Sequence, residues 1–103
     1  MNQKYSQMSR AELESEIAEM RVLAQKAEAK GMINEYAVHE RKILMAEAYL
    51  LNPADFKPKE IYIVKDSGET FEISYINGVF AWGYRNKAAK LEAVPISILA
   101  QKN

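Results

Sequence analysis

The sequence predicts an α+β protein in which an N-terminal antiparallel helical hairpin packs on a C-terminal small SH3-like β-barrel. Apolar residues recur at helical spacing up to residue 51, and they alternate with polar residues from residue 60 onwards. Between these patterns, residues 52–60 carry two prolines and four charges, which is typical of a linker. We therefore expect a helical hairpin over residues 1–53 and a barrel over residues 54–103, together forming one compact unit.

The composition is that of an ordinary globular domain, and it argues against several classes of function. The chain has 103 residues, no cysteine, and equal numbers of basic and acidic side chains, 14 of each. Zero net charge disfavours an extended nucleic-acid interface, and the lack of cysteine excludes disulfides and thiol chemistry. The N-terminus has no apolar signal-peptide core, and no apolar run is long enough to span a membrane. We expect a cytoplasmic protein with no membrane association.

The first helix is predicted over about residues 10–30. Ser9 and Glu12 have the spacing of a capping box, and Gly31 suits the left-handed conformation just past a helix end. The apolar stripe of this helix is expected to consist of Leu13, Ile17, Met20, Leu23, Ala24 and Ala27. The glutamates at positions 12, 16 and 19 are expected to form a solvated face.

The second helix is predicted to begin at Met32 or Asn34 and to end at Asn52, before Pro53. In its first half we expect Ile33, Tyr36 and Ala37 to face inward. Its second half, residues 43–51, is apolar on nearly every side, and such a helix must be covered on more than one side. We expect this segment to be sandwiched between the first helix and the β part, or to lie in a homodimer interface.

The C-terminal half is predicted to contain four or five short strands. Residues 60–66, 70–76 and 79–85 alternate as strands do, and residues 93–99 form a last strand or one that is broken by Pro95. Asn77-Gly78 is a strong signal for a two-residue hairpin turn, which would pair Ile76 with Val79. In that register one face of the hairpin would carry its large side chains, which are Phe71, Ile73, Tyr75, Phe80, Trp82 and Tyr84.

This aromatic strip has two interpretations. The favoured one is that it forms the core of the barrel, because large apolar groups prefer burial. The alternative is that part of it lines an exposed groove for a protein partner. The candidate partner-binding residues are Tyr62, Trp82, Tyr84 and Arg85. Gly83 permits a bulge or a close backbone approach, so the facing of Tyr84 and Arg85 depends on the local geometry.

Catalytic and metal-binding patterns are absent from the sequence. His39-Glu40 begins like a zinc-binding HExxH motif, but Ile43 occupies the position of the second histidine. A partly buried structural role for His39 is favoured over a role as a base. We therefore expect no enzymatic activity, no metal and no cofactor. A candidate basic surface consists of Arg41, Lys42, Lys57 and Lys59, although scattered surface charge is the simpler interpretation.

Four segments resemble the YfhH-like family of small uncharacterised proteins from Bacillus-type bacteria. They are KYSQMS at 4–9, GMINEYAVHERKILMAEAYLLNP at 31–53, YINGVFAWGYR at 75–85 and VPISIL at 94–99. The resemblance implies a helical hairpin in front of an SH3-like barrel. It also carries a loose designation as a transcriptional regulator, and it implies no catalytic residues.

Three functional hypotheses follow from the sequence. The favoured one is a non-enzymatic regulatory or interaction module that binds a protein partner or itself. The second is a transcriptional regulator that associates with nucleic acid through the barrel edge. Its basic residues would be Lys57, Lys59, Arg85, Lys87 and Lys90. The third is an enzyme or small-molecule binder, which a pocket with convergent polar groups would favour.

Overall fold

A computed structural model describes residues 4–102 of the chain, which divide into two compact units between Leu50 and Leu51. The first unit contains a short 3-10 turn (Tyr5–Gln7), helix α1 (Arg10–Ala29) and helix α2 (Ile33–Ala48). The second unit contains five strands and two further 3-10 turns, at Pro53–Asp55 and Ile96–Ile98. The strands are β1 (Ile61–Val64), β2 (Thr70–Asn77), β3 (Phe80–Arg85), β4 (Glu92–Pro95) and β5 (Leu99–Gln101).

Helix α1 has the predicted start and end. The Ser9 hydroxyl accepts a hydrogen bond from the Glu12 amide at 3.2 Å, and the Ser9 amide donates to the Glu12 carboxylate at 2.9 Å. These two bonds form the capping box and satisfy two amides that the helix itself cannot pair. At the other end, Gly31 has a φ of +70°, the left-handed conformation that the sequence predicts.

Helix α2 begins where the sequence predicts, with Met32 as its N-cap, but it differs from the prediction in its inward-facing residues and in its end. Ile33 is 78% exposed and Ala37 is also exposed, so the expectation that they face inward is wrong. The helix ends at Ala48 rather than at Asn52. Asn52 instead caps the following 3-10 turn, where its side-chain oxygen accepts a hydrogen bond from the Ala54 amide at 3.0 Å. A side chain that competes for nearby amides favours a new turn over continuation of the helix.

The core of the helical unit lies along the seam between α1 and α2. Its buried members are Leu13, Ile17, Met20, Ala24, Ile43 and Ala46, with Tyr5, Met8, Tyr36 and Leu50 packed around them. Leu23, which the helical spacing places in the stripe, is 47% exposed. An ion pair of 2.7 Å between Arg21 and Glu47 joins the two helices beside this core. In residues 43–51, Ile43, Ala46 and Ala48 are buried, whereas Tyr49 and Leu51 are exposed. Coverage of this segment by the β part or by a second copy stays a prediction.

The strands of the second unit form one antiparallel sheet in the order β4-β3-β2-β1-β5. The two outer strands, β4 and β5, are not paired with each other, so the sheet is open and the expected closed barrel is wrong. The last predicted strand, residues 93–99, is interrupted after Pro95, which confirms the second of the two alternatives that the sequence left open. A 3-10 turn there lets the chain leave the β3 edge and return beside β1.

The β2–β3 hairpin differs from its predicted register. Asn77 pairs with Phe80, so the turn residues are Gly78 and Val79 rather than Asn77 and Gly78. Gly78 has a φ of +61° and Val79 has no positive φ, which is the pattern of a type II′ turn. A bulge at Ser74 then shifts the register a second time, between Ile73 and Tyr75.

The bulge divides the predicted aromatic strip between opposite faces of the sheet, whereas the shift at the turn leaves Tyr75 on the same face as Phe80 and Trp82. The inner face is buried and carries Phe71, Ile73, Ala81, Gly83 and Val94. The outer face carries Tyr75, Phe80, Trp82 and Tyr84, each of them exposed or half-buried. The interpretation of the whole strip as barrel core is therefore wrong. Of the face predicted to be thin, the β3 residues Ala81 and Gly83 are buried, whereas the β2 residues Glu72 and Ser74 are exposed.

Candidate functional site

The outer face of the sheet presents a pair of stacked aromatic rings, Tyr75 and Trp82. These residues pair across β2 and β3, their ring centroids lie 5.9 Å apart, and their planes differ by 7°. Tyr75 is 45% exposed and Trp82 is half-buried. The bulge creates this pair, because one extra residue after Ile73 moves Tyr75 to the face opposite that of Ile73. The result is a flat aromatic surface in contact with solvent.

Other side chains extend this surface on the same face. Phe80 and Tyr84 flank Trp82 along β3, since alternate residues of a strand share a face. Glu72 lies opposite both Tyr84 and Ile61, and it is exposed. We call this surface the aromatic face and define it as Ile61, Glu72, Tyr75, Phe80, Trp82 and Tyr84.

Of the four candidate partner-binding residues, Trp82 and Tyr84 lie on the aromatic face, and the other two do not. Tyr62 is only 3% exposed, and its ring lies 5.5 Å from that of Phe56 in the sheet core. The Tyr62 hydroxyl accepts a hydrogen bond from the Lys57 amide at 2.8 Å, so its polar end is also satisfied within the fold. Tyr62 is therefore a structural residue. The alternation of apolar and polar residues in the sequence could not tell whether its ring is buried or exposed for a partner.

Arg85 is held by two carboxylates. Its Nε lies 3.0 Å from Glu92, and its Nη1 lies 3.1 Å from Glu69. The Glu92 hydrogen bonds contribute most to raising the pKa of Arg85 above its usual value. The pKa of Glu69 is lowered, first by a hydrogen bond from the Ser67 hydroxyl and then by one from Arg85. These bonds tie together the ends of β2, β3 and β4, which leaves Arg85 little capacity for a partner.

This arrangement predicts a loss of stability in acid. Because the pKa of Glu69 is lower in the fold than in the unfolded chain, its contribution is present above the unfolded value and is lost as the pH falls through the folded value. We expect the urea midpoint to fall below about pH 5. Glu69→Gln should flatten part of that fall, whereas Glu72→Gln, at an exposed position of β2 without an ion pair to Arg85, should leave it unchanged. Equal pH profiles for wild type and Glu69→Gln would refute this role.

The candidate basic surface is divided between the two units. Arg41 and Lys42 are exposed on α2, whereas Lys57 and Lys59 lie in the segment before β1. The Lys57 ammonium donates to the Ala54 carbonyl at 3.1 Å, so part of its hydrogen-bonding capacity is used locally. Lys59 has a φ of +70°, and its amide donates to the Ile73 carbonyl at 2.6 Å. The ammonium group of Lys57 is thus bonded within its own unit, whereas the Lys59 bond is made by the backbone amide and does not involve the Lys59 ammonium group.

His39 is half-buried on α2, as the sequence predicts. Its Nδ1 is shielded from solvent and has no hydrogen-bond partner among residues 4–102. Over the same residues, no cluster of three or more His, Cys, Asp or Glu side chains is arranged to hold a metal ion. Within that part of the chain, no helix is both long and apolar enough to cross a bilayer.

Comparison with known proteins places the chain in a family. The profile of a family described as "Protein of unknown function (DUF1811)" matches residues 3–100. The chain belongs to the DUF1811 family. It is also 55% identical over 103 residues to the "Uncharacterized protein YfhH" of Bacillus subtilis (strain 168), with 99% of each chain covered. The resemblance noted in the sequence is thereby confirmed, and this DUF1811 relative has almost the same length.

Proposed function

We propose that the protein is a non-enzymatic interaction module that binds a protein partner through the aromatic face. The single observation that carries this proposal is the Tyr75–Trp82 stack in contact with solvent. Aromatic side chains in a fold normally gain more from burial than from exposure. Here the bulge at Ser74 directs Tyr75 outward, where it enlarges the exposed aromatic area rather than the core.

The chemistry of the aromatic face favours an extended segment that contains proline and a neighbouring cationic side chain. Proline rings dock on flat aromatic surfaces, and an extended proline-rich chain loses little conformational entropy on binding. Glu72 on the same face supplies a carboxylate for a lysine or arginine of the partner. Trp82 and Tyr84 supply ring faces that attract the same cation.

The alternative, association with nucleic acid, has less support from the geometry. Of its five proposed basic residues, Arg85 is engaged by Glu69 and Glu92, and Lys57 is bonded to Ala54. The chain as a whole carries no net charge. A protein that neutralises several phosphates needs free cations on one surface.

Selection from a random peptide library on the whole protein tests this proposal. We expect enriched peptides to contain proline next to lysine or arginine, and we expect Trp82→Ala to weaken their binding at least tenfold, as loss of an interfacial tryptophan commonly does. Val22→Ala is the matched control, because Val22 is an exposed apolar residue of the helical unit and is not part of the aromatic face. Binding of the selected peptides should be unchanged in that variant.

Three results would count against the proposal. The first is a library that yields no enriched peptide, and the second is a set of peptides that bind wild type and Trp82→Ala equally. The third is a stable dimer in light scattering that Trp82→Ala converts to monomer, which would assign the face to self-association. Salt-sensitive binding of DNA or RNA would instead support the alternative function.

A further inference from the structure

The tip of the β2–β3 hairpin carries an asparagine that is followed directly by a glycine. Asn77 is the last residue of β2, Gly78 is the first of the two turn residues, and both are exposed to solvent. In the sequence this pair serves only as a turn signal. Asparagine is also one of the chemically labile residues of proteins, because the backbone nitrogen that follows it can attack its side-chain amide. The surroundings of this pair therefore decide whether it reacts.

The two groups that would react at the hairpin tip are both free. Within residues 4–102, neither the side-chain amide of Asn77 nor the backbone amide of Gly78 forms a hydrogen bond to the protein. The hairpin closes with the pair Asn77 and Phe80, which leaves the Gly78 N–H outside the ladder. A Cβ at Gly78 would meet no atom within 4 Å, so the approach to this nitrogen is open. Neither a hydrogen bond nor crowding opposes the attack.

Two other asparagines of the chain are protected from the same reaction. The side-chain oxygen of Asn86 accepts a hydrogen bond from the Thr70 amide at 3.3 Å, and its nitrogen donates to the Glu69 carboxylate at 3.4 Å. These bonds must break before the Asn86 side chain can turn towards the backbone. Asn52 is followed by proline, which has no N–H to lose. Asn77 differs from both in having a free side chain and a free amide after it.

We propose that Asn77-Gly78 is a site of spontaneous covalent modification in the native protein. The Gly78 nitrogen loses its proton and bonds to Cγ of Asn77. The bond between Cγ and Nδ2 breaks, and the side-chain nitrogen leaves as ammonia with the proton that Gly78 gave up. Water then opens the resulting cyclic imide at one of its two carbonyl groups. Opening at Cγ gives aspartate, and opening at the backbone carbonyl gives isoaspartate, in which the chain runs through the former side chain.

Both products alter the rim of the aromatic face. Asn77 pairs with Phe80 and lies two residues beyond Tyr75, so its side chain shares the outer face of the sheet with them. Aspartate adds a negative charge at this rim and leaves the backbone length unchanged. Isoaspartate adds one methylene to the backbone at the closing pair of the hairpin. Because strand pairing depends on matched backbone length, we expect isoaspartate to disturb the neighbouring stack of Tyr75 on Trp82.

Ageing of the whole protein in mildly alkaline buffer tests the proposal. The unmodified chain has a formal net charge of zero, so each conversion adds one negative charge that anion-exchange chromatography resolves. Peptide mapping then locates the change, and an isoaspartate-specific methyltransferase labels the isoaspartyl product. We expect Asn77 to convert about tenfold faster than Asn86, which corresponds to a barrier lower by about 1.4 kcal/mol. The rate should rise with pH, because the attacking nitrogen must first lose its proton.

Substitutions at and away from the hairpin tip assign the reaction. Asn77→Gln should abolish the charge change, because the longer side chain would have to close a larger ring. Asn34→Gln is the matched control at another exposed asparagine, on α2, and it should age as wild type. Asn77→Asp supplies the charge without lengthening the backbone. It should keep the near-ultraviolet circular dichroism of the wild type, whereas the purified isoaspartyl fraction should show a weaker signal.

The site is refuted if Asn77 stays intact in the native protein while the urea-unfolded chain converts, since the turn would then prevent the attack. It is also refuted if Asn86 converts as fast as Asn77, or if Asn77→Gln still gains the negative charge. Equal circular dichroism of the isoaspartyl fraction and Asn77→Asp would refute the effect on the stack. None of these measurements uses a partner, so their outcome is independent of peptide binding at the aromatic face.

Discussion

Ala81→Asp is expected to destabilise the sheet unit by about 3 to 5 kcal/mol, which is the cost of leaving a charge buried without a partner. Ala81 is fully buried on the inner face, where it lies between Ile76 and Val94 on the neighbouring strands. Urea unfolding followed by the fluorescence of Trp82, the one tryptophan of the chain, measures this loss.

Ser74→Asp is the matched control for this substitution. In the predicted hairpin register Ser74 and Ala81 pair on one thin outer face, and both would accept a carboxylate. In the structure Ser74 is exposed at the bulge, and its substitution should change stability by no more than about 0.5 kcal/mol. Equal tolerance of the two aspartates would support the predicted register and refute the observed one.

Gly83→Ala is expected to destabilise the same unit by about 3 kcal/mol, at the upper end of the usual cost of overpacking. A Cβ at this position would collide with the carbonyl oxygen of Glu72 and would lie 2.9 Å from the Phe71 ring. Backbone and a fully buried ring have little room to move. The fall in the urea midpoint again measures the effect.

Gly68→Ala separates collision from backbone strain. A Cβ at Gly68 would meet no atom within 4 Å, but the φ of +74° there is unfavourable for alanine. We expect a cost of about 1 kcal/mol from that conformation alone. If both substitutions cost the same, close packing of β3 against β2 would not be the reason for glycine at position 83.

Helix α1 shows how much of the fold local sequence can predict. Ser9, Glu12 and Gly31 act through hydrogen bonds and backbone preferences within a few residues, so their effects can be read from spacing alone. Helix α2 has weaker local signals. Ile33 is apolar, yet it is 78% exposed. Helical periodicity shows that an apolar residue lies on a given side of the helix, but it does not show whether another element packs against that side.

The aromatic face could be predicted only in part. Trp82 and Tyr84 stand out by residue type. Gly83 permitted either a bulge or a close backbone approach, and the structure shows the close approach. The facing of Tyr75 could not be predicted, because it depends on a bulge that no residue pattern around Ser74 marks.

By itself, the sequence determined that two helices precede an antiparallel set of strands, where helix α1 begins and ends, and that Gly78 belongs to the hairpin turn. The tertiary structure alone decided the register of that hairpin, the open sheet and the carboxylate partners of Arg85. The physical reason is that a strand has a period of two residues. A shift of one residue costs little locally, yet it exchanges the buried and exposed faces, and only packing across the whole sheet selects between them.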